Sequence, residues 1–403
     1  MAITIKDGLN QINAQIELES NGVAVDPAIF AELDYKNTYL QQIHSCMDYN
    51  LGDVSKFTLP SGFRIKSSGF YVGIFWNPTS KIKIVKENGK FFLVKNDGKD
   101  FSYEIEFEKK PKFYNKTTKD GKDMSRIVQA NSRGRLSVIY SNECSLKEKG
   151  WDCLFCNINA TKNRFGEQEH LEWKSVTEIA EVVAEAYREG YHGFNLTGGF
   201  IPERREVDYY IDVIDAIKDA VDIPEDEIHG MACIGAPQDE GVVEKYKESG
   251  YQHIATNLEV WNPDVFTYIC PGKEKMCGGR DNWLKVLKHE VSVFGRGFVR
   301  SNLVAGLETK TSLLEGIETL SELGVIANAT IWKPNIGSAL EGHRPPEAEW
   351  YQDLIAKEYQ IHKKNGFTFE QYYYVYGENS PCAHYYQLYG EHLPWNEKLE
   401  VKN

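Results

Sequence analysis

The sequence has no run approaching eighteen apolar residues, and its opening residues, Met1 to Asp7, lack the apolar stretch of a secretory signal. Both absences argue against a membrane span and export, and the protein is expected to stay in the cytoplasm. Positive charge is also in deficit. The 46 Lys and Arg residues face 59 Asp and Glu, for a net charge of −13, which argues against a general affinity for nucleic-acid phosphates or anionic membranes. Small-molecule or protein substrates are favoured instead. Proline is scarce, at 14 of 403 residues, and with 41% hydrophobic and 26% charged residues the composition is that of an ordinary globular chain. Its length suits one large domain with appendages, or two domains. Without an export signal, the eight cysteines are expected to stay reduced, so metal binding is the first alternative to burial. Five of them, Cys46, Cys233, Cys270, Cys277 and Cys382, are scattered. Cys144, Cys153 and Cys156 cluster.

From about residue 134 onward, short β-rich runs alternate with amphipathic helical segments, the pattern of a parallel sheet built from βα units. Six strands are predicted, at 135–140, 192–197, 228–235, 252–258, 298–304 and 326–333. A helix should start at Ser175, whose side chain can cap the backbone while Glu178 reaches back. Ile179, Val182, Val183 and Ala186 give it one apolar face, and Gly190 ends it. Further helices are predicted at 207–220, 240–249, 282–294, 312–323 and 346–364. Because parallel crossovers are right-handed, six such units curl into an open barrel or a wound sheet, with ligands at the C-terminal ends of the strands.

The fold class is thus α/β: a partial (β/α)6 TIM-type barrel over 131–345, an N-terminal α+β region over 1–130, and a C-terminal helix with an aromatic tail over 346–403. The first fifty residues read as helical, with Leu9, Ile12, Ile16 and Leu18 partly periodic. Residues 70–76, 82–86 and 91–95 read as strands, with Glu87-Asn88-Gly89-Lys90 as a hairpin turn. Residues 109–122, lysine-rich and polar, read as a linker. The tail, with Tyr372, Tyr373, Tyr374 and Tyr376 close together, is expected to close the open side of the barrel.

Cys144-Ser-Leu-Lys-Glu-Lys-Gly-Trp-Asp-Cys153-Leu-Phe-Cys156 follows the first predicted strand, where a barrel keeps its active site. Three thiolates can hold three irons of a cubane cluster and leave the fourth open. The rival is a structural zinc site or buried thiols, but a fourth zinc ligand is missing nearby. Cys270 and Cys277, with six residues between them, raise the question of a second cluster, although burial is the commoner fate of such residues. Cys382 and His384 read the same way. Trp332-Lys333-Pro334-Asn335 and Glu341-Gly342-His343-Arg344 follow the sixth strand, where substrate contact and plain loop structure are equally good readings.

These residues resemble the radical S-adenosylmethionine (SAM) superfamily over roughly 134–345, and within it the biotin synthase and lipoyl synthase branch. The strongest element is the Cys-x-aromatic-Cys ending, Cys153-Leu154-Phe155-Cys156. Eight residues separate the first two cysteines, where the family usually has three. The resemblance implies a [4Fe-4S] cluster on Cys144, Cys153 and Cys156, whose open iron takes the amino and carboxylate groups of SAM. Reduction then yields a 5′-deoxyadenosyl radical.

The resemblance also implies a set of SAM contacts. Phe155 would pack by the adenine. Gly198-Gly199 would approach the SAM amino group, with Phe200 where the family has glutamate. Asn257 and Glu259 would take the ribose hydroxyls, Arg280 the SAM carboxylate, and Val304 and Gly306 would line the adenine. The function so implied is hydrogen abstraction from a small metabolite, with a flavodoxin or ferredoxin as one-electron donor. Alternatives are sulfur, carbon or methyl transfer, possible on a peptide, and a cluster-carrying scaffold without turnover.

Overall fold

The computed structural model describes all residues except 1, 27–28, 30–39, 43–57, 133, 142, 159–172, 240, 336, 395–397 and 403. Cys46 lies outside the described residues.

All six predicted barrel strands form, and in the order expected. Arg135–Ile139, Gly193–Thr197, Gly230–Ile234, His253–Thr256, Val299–Ala305 and Val325–Ile331 pair in parallel, each with the next along the chain. Helices fill the crossovers, so the sheet curls into a partial barrel and is not closed. A seventh strand, Gln129–Ser132, pairs antiparallel with Arg135–Ile139 at one edge. It precedes the alternating pattern by only a few residues and carries no apolar periodicity of its own, so nothing in the sequence marks it as part of this sheet.

The helix predicted from Ser175 runs as Val176–Arg188, with Ser175 accepting from the Glu178 amide and Glu178 reaching back to the Ser175 amide. Its buried face is Ile179, Val182, Val183 and Ala186. Glu178 also pairs with Lys122 at 2.8 Å, and Lys116 pairs with Glu185 of the same helix. Together with buried Phe113 and Tyr114, these contacts pin residues 109–122 onto the barrel, so the segment read as a linker is docked.

At the N-terminus the helix is Ile5–Asn21 only, ended at Gly22 in the left-handed region (φ 72°). The expectation of a helix toward residue 50 fails at that point: the strand Ala24–Val25 follows directly and joins Ile82–Glu87. The helix lies against Ala348–Lys364 and Pro381–Leu388, where Gly8 permits an approach that a Cβ would reduce to 2.2 Å from Leu388. Among the described residues the N-terminal region also holds a six-stranded mixed sheet with its own apolar core, including Phe63, Val72, Ile84 and Leu93, and a separate two-stranded sheet of Leu40–Gln42 and Thr58–Pro60. Asn88 (φ 50°) and Gly89 (φ 78°) form the predicted hairpin turn between Ile82–Glu87 and Lys90–Lys95, both central residues having the positive φ that this two-residue connection requires.

The aromatic tail forms two helices, Phe369–Tyr376 and Pro381–Leu388. Tyr374 stacks on His229 at 3.9 Å, Arg300 donates to the main-chain oxygen of Val375 at 2.7 Å, and Tyr376 donates to that of Ile326 at 3.2 Å. His229, Arg300 and Ile326 all lie at or near the N-terminal ends of strands. The tail is expected to close the barrel's open side; its first helix packs against the floor, and Tyr376, Asn379, Ser380 and Pro381 line the barrel cavity.

Candidate active site

The cysteine loop is stitched to three separate βα units by its main chain. Ser145 N–H donates to Phe200 O at 2.8 Å, Leu154 N–H to Ile269 O at 2.9 Å, and Leu340 N–H to Leu154 O at 3.1 Å. These partners follow the second, fourth and sixth barrel strands, so the loop lies across the C-terminal mouth. Cys144 caps the short helix Ser145–Glu148, and all three thiols are half-buried. Among the described residues, the one three-donor group compact enough for a single ion lies elsewhere, in the C-terminal helices.

Gly198 and Gly199 are required by this loop. A Cβ on Gly199 would stand 2.0 Å from the main-chain oxygen of Glu143 and 2.9 Å from the Cys144 Cβ. One on Gly198 would meet the Tyr140 ring at 2.5 Å. Tyr140 in turn donates to Gly199 O at 3.0 Å.

Two other predicted segments are bound to each other. Glu259 N–H donates to Asn302 O at 2.9 Å, Val304 N–H donates to Glu259 O at 2.7 Å, and the Asn257 side-chain oxygen accepts from Asn302 N–H at 3.1 Å. Glu259 is held at φ 72°, an uncommon conformation for a residue with a side chain, and such outliers concentrate at functional sites. Gly306 (φ 116°) leaves room for Tyr351 and Pro346, which a Cβ would crowd to 2.7 and 2.9 Å. Val304 is buried, and Phe155 is half-buried against the main core. Arg280 lies over the Trp261 ring at 4.5 Å and donates through Nε to Trp261 O at 2.6 Å. Partial burial lowers its pKa.

Lys273 was not singled out from the sequence. It donates to Asn257 O at 2.7 Å and to Glu259 Oε1 at 3.0 Å. Burial opposes its charge, but Glu259 and the neighbouring thiols Cys153 and Cys270 outweigh that and raise its pKa. Cys270 is not incidental either. Its buried thiol bonds to Cys153 and, with Lys273, holds the Cys153 pKa below the usual thiol value, whereas burial pushes Cys156 up to about 12. Only the folded chain brings these residues to the loop. Their one trace in the sequence is their position after the fourth strand.

Within the barrel lies a cavity of about 450 Å³, a size that suits a small molecule. Ser137, Asn302, Asn328 and Thr330 reach it from barrel strands, and Glu19 and Lys333 from outside them. Asn302 Oδ1 is buried without a hydrogen-bond partner. Lys333 stands over the Phe75 ring at 4.1 Å. Burial lowers its pKa and raises that of Glu19, each partly offset by the other's charge. Of the two segments after the sixth strand, Lys333 reaches the cavity, whereas His343 is exposed.

The model of the radical SAM superfamily matches residues 138–326. Over that stretch, just under half of its length, the chain is similar to the radical SAM superfamily. It is 29% identical over 264 residues to the bacteriochlorophyllide c C-7(1)-hydroxylase of Chlorobaculum limnaeum, covering 62% of this chain and 65% of that protein. It is 26% identical over 212 residues to the 5-amino-6-(D-ribitylamino)uracil–L-tyrosine 4-hydroxyphenyl transferase 2 of Methanosarcina barkeri, covering 50% and 45%. The chain thus spans less than two thirds of the length of either relative. Among solved structures, methylornithine synthase matches with a TM-score of 0.45 and 14% identity over 61% of this chain and 69% of that one.

The cofactors that go with a radical SAM domain are a [4Fe-4S] cluster and SAM. The donor set fits: three thiols on one loop at the barrel mouth, with no histidine between them. No helix among the described residues is long and apolar enough to cross a membrane.

Proposed function

We propose that this chain is a radical SAM enzyme that holds a [4Fe-4S] cluster on Cys144, Cys153 and Cys156 and abstracts a hydrogen atom from a small polar molecule in the barrel cavity. When bound, the cluster and SAM supply reductive cleavage of the sulfonium to a 5′-deoxyadenosyl radical. The chain's own residues position and enclose the reactants. Asn257 and Glu259, braced by Lys273, face the ribose. Gly198, Gly199 and Arg280 serve the amino acid end of SAM, and Phe155, Val304 and Gly306 the adenine. The order of these motifs along the chain supports the biotin synthase and lipoyl synthase branch.

One observation carries the reading. The main chain of Asn302 binds both Asn257 and Glu259, while Asn302 also lines the cavity and leaves its side-chain oxygen unpaired. A single residue thereby joins the SAM segment to the substrate chamber. The amide, hydroxyl and charged groups around the cavity suit a polar metabolite better than an apolar one. Sealing by the tail and the N-terminal sheet keeps water from the radical. The enzyme works in the cytoplasm, with a flavodoxin or ferredoxin as electron source. Radical-mediated group transfer is the second reading, favoured by the likeness to the 4-hydroxyphenyl transferase.

Anaerobic reconstitution tests the proposal. The expected result is about four irons and four sulfides per chain, with 5′-deoxyadenosine released from SAM under reductant, and both lost on replacing any of the three loop cysteines by alanine. Zinc or no metal in the loop, or a loaded cluster with no SAM cleavage, overturns it. Incorporation of a second substrate into the product selects group transfer.

A further inference from the structure

The C-terminal helices carry a second constellation of metal-ligating side chains, remote in sequence from the loop. Glu358 and His362 lie one turn apart on Ala348–Lys364, and Cys382 faces them from Pro381–Leu388. One donor atom from each falls within 4.8 Å of the other two, and all three residues are completely buried. From the sequence, Cys382 and His384 read only as buried or incidental residues. In the folded chain His384 turns away, stacked on Phe70 at 4.4 Å and bonded to Gln15 at 2.6 Å, and His362 is the true neighbour.

The geometry points to a divalent transition-metal site, of the kind that takes zinc, formed by a Glu358 carboxylate oxygen, His362 Nδ1 and Cys382 Sγ. His362 Nε2 lies 2.8 Å from the main-chain oxygen of Ala327, which can only accept. The ring proton therefore sits on Nε2, and Nδ1 presents its lone pair to Cys382 Sγ at 3.7 Å. A tetrahedral zinc with ordinary Zn–N and Zn–S bonds places those two atoms roughly 3.6 Å apart. The carbonyl behind the imidazole is the second-shell partner that metal-bound histidines usually have.

Glu358 Oε2 accepts from Ala329 N–H at 3.1 Å, whereas Oε1, with the Cys382 thiol beside the carboxylate, has no hydrogen bond of good geometry. A thiolate and a carboxylate balance a divalent ion, so the filled site buries no net charge. Three protein donors leave one position of a tetrahedral ion for solvent. Ala327 and Ala329 belong to the last barrel strand and flank Asn328 of the cavity wall. The ion would therefore clamp both C-terminal helices to the strand that shapes the substrate chamber. A hydrogen-bonded triad without an ion is the competing account.

The test is independent of the loop cluster. The full-length chain carrying C144A, C153A and C156A is expressed in cobalt-supplemented medium, so that the ion enters during folding. About one cobalt per chain is expected, with a near-ultraviolet sulfur-to-cobalt charge-transfer band and one sulfur in the first shell by X-ray absorption. Adding C382S removes the band, and adding H362Q lowers the cobalt content to less than about a tenth. The X-ray absorption result needs no further substitution, so it decides the matter even if these variants fold poorly. A folded parent chain without cobalt overturns the proposal, as does cobalt with no sulfur ligand or a content unchanged by C382S and H362Q.

Discussion

Lys273 and Glu259, on separate elements after the fourth barrel strand, meet at 3.0 Å with only 13% and 14% of their side chains exposed. The same ammonium holds the main-chain oxygen of Asn257. Removing one partner of a buried pair leaves the other uncompensated and costs about 3–5 kcal/mol. K273M should therefore lower the unfolding free energy by an amount of that order. It should also free Glu259 from its left-handed conformation and weaken SAM binding by about tenfold or more, the factor that corresponds to 1.4 kcal/mol. Equilibrium dialysis of SAM with the cluster-loaded variant reads this. Unchanged affinity would reduce the pair to scaffolding.

Gly199, just after the second strand, packs against the start of the cysteine loop. In G199A the new methyl group meets the Glu143 main-chain oxygen, and the loop must shift. Overpacking of this kind costs about 1–3 kcal/mol, and iron content after reconstitution should fall with it. G73A, where nothing lies within 4 Å of the added atom, serves as the control and should keep full iron content. Normal iron loading in G199A would mean that the loop tolerates the displacement.

Glu290 is fully buried, accepts from the Thr256 hydroxyl at 2.5 Å, and has its pKa pushed up to about 8 by desolvation. Unfolded, it ionises at its ordinary value, so the folded state holds a proton that the unfolded state releases between about pH 4.5 and 8. Stability must then decline as pH rises through that window, by an amount on the order of a few kcal/mol. E290Q should remove this slope and gain on the parent chain at pH 9 but not at pH 5, as read from urea unfolding. Parallel pH profiles would refute the assignment.

Tyr374 plugs the floor between His229 and His253, at ring separations of 3.9 and 5.4 Å. Truncating a buried aromatic side chain to alanine costs about 3–5 kcal/mol, so Y374A should lower the denaturation midpoint markedly. Burial also lowers the His229 pKa to about 4. The unfolded chain takes up this proton first, so stability is lost as pH falls from about 6.5 toward 4. H229Q should flatten that acid limb, and an unchanged limb would place the acid sensitivity elsewhere.

Much of the scaffold was legible in the chain because its signals are local. Ser175 and Glu178 cap a helix with atoms three residues apart, Asn88-Gly89 turns a hairpin unaided, and the barrel strands show as short runs between helical segments. The three loop cysteines were legible for the same reason, being neighbours in sequence. Where the local signal was weak, expectation failed. Residues 22–25 ended a helix read as continuing, and residues 109–122, polar enough for a linker, were docked by ion pairs whose partners lie more than fifty residues away.

The sequence by itself determined the order of strands and helices, and the position of three thiols after the first strand, since periodicity, capping and spacing act over a few residues. Only the tertiary structure decided which distant groups share a space. It set Lys273 against Glu259, Cys270 against Cys153, the tail beneath the barrel and Cys382 beside His362. The reason is physical: curling the sheet and packing helices on it brings together side chains far apart along the chain, and no local pattern encodes those meetings.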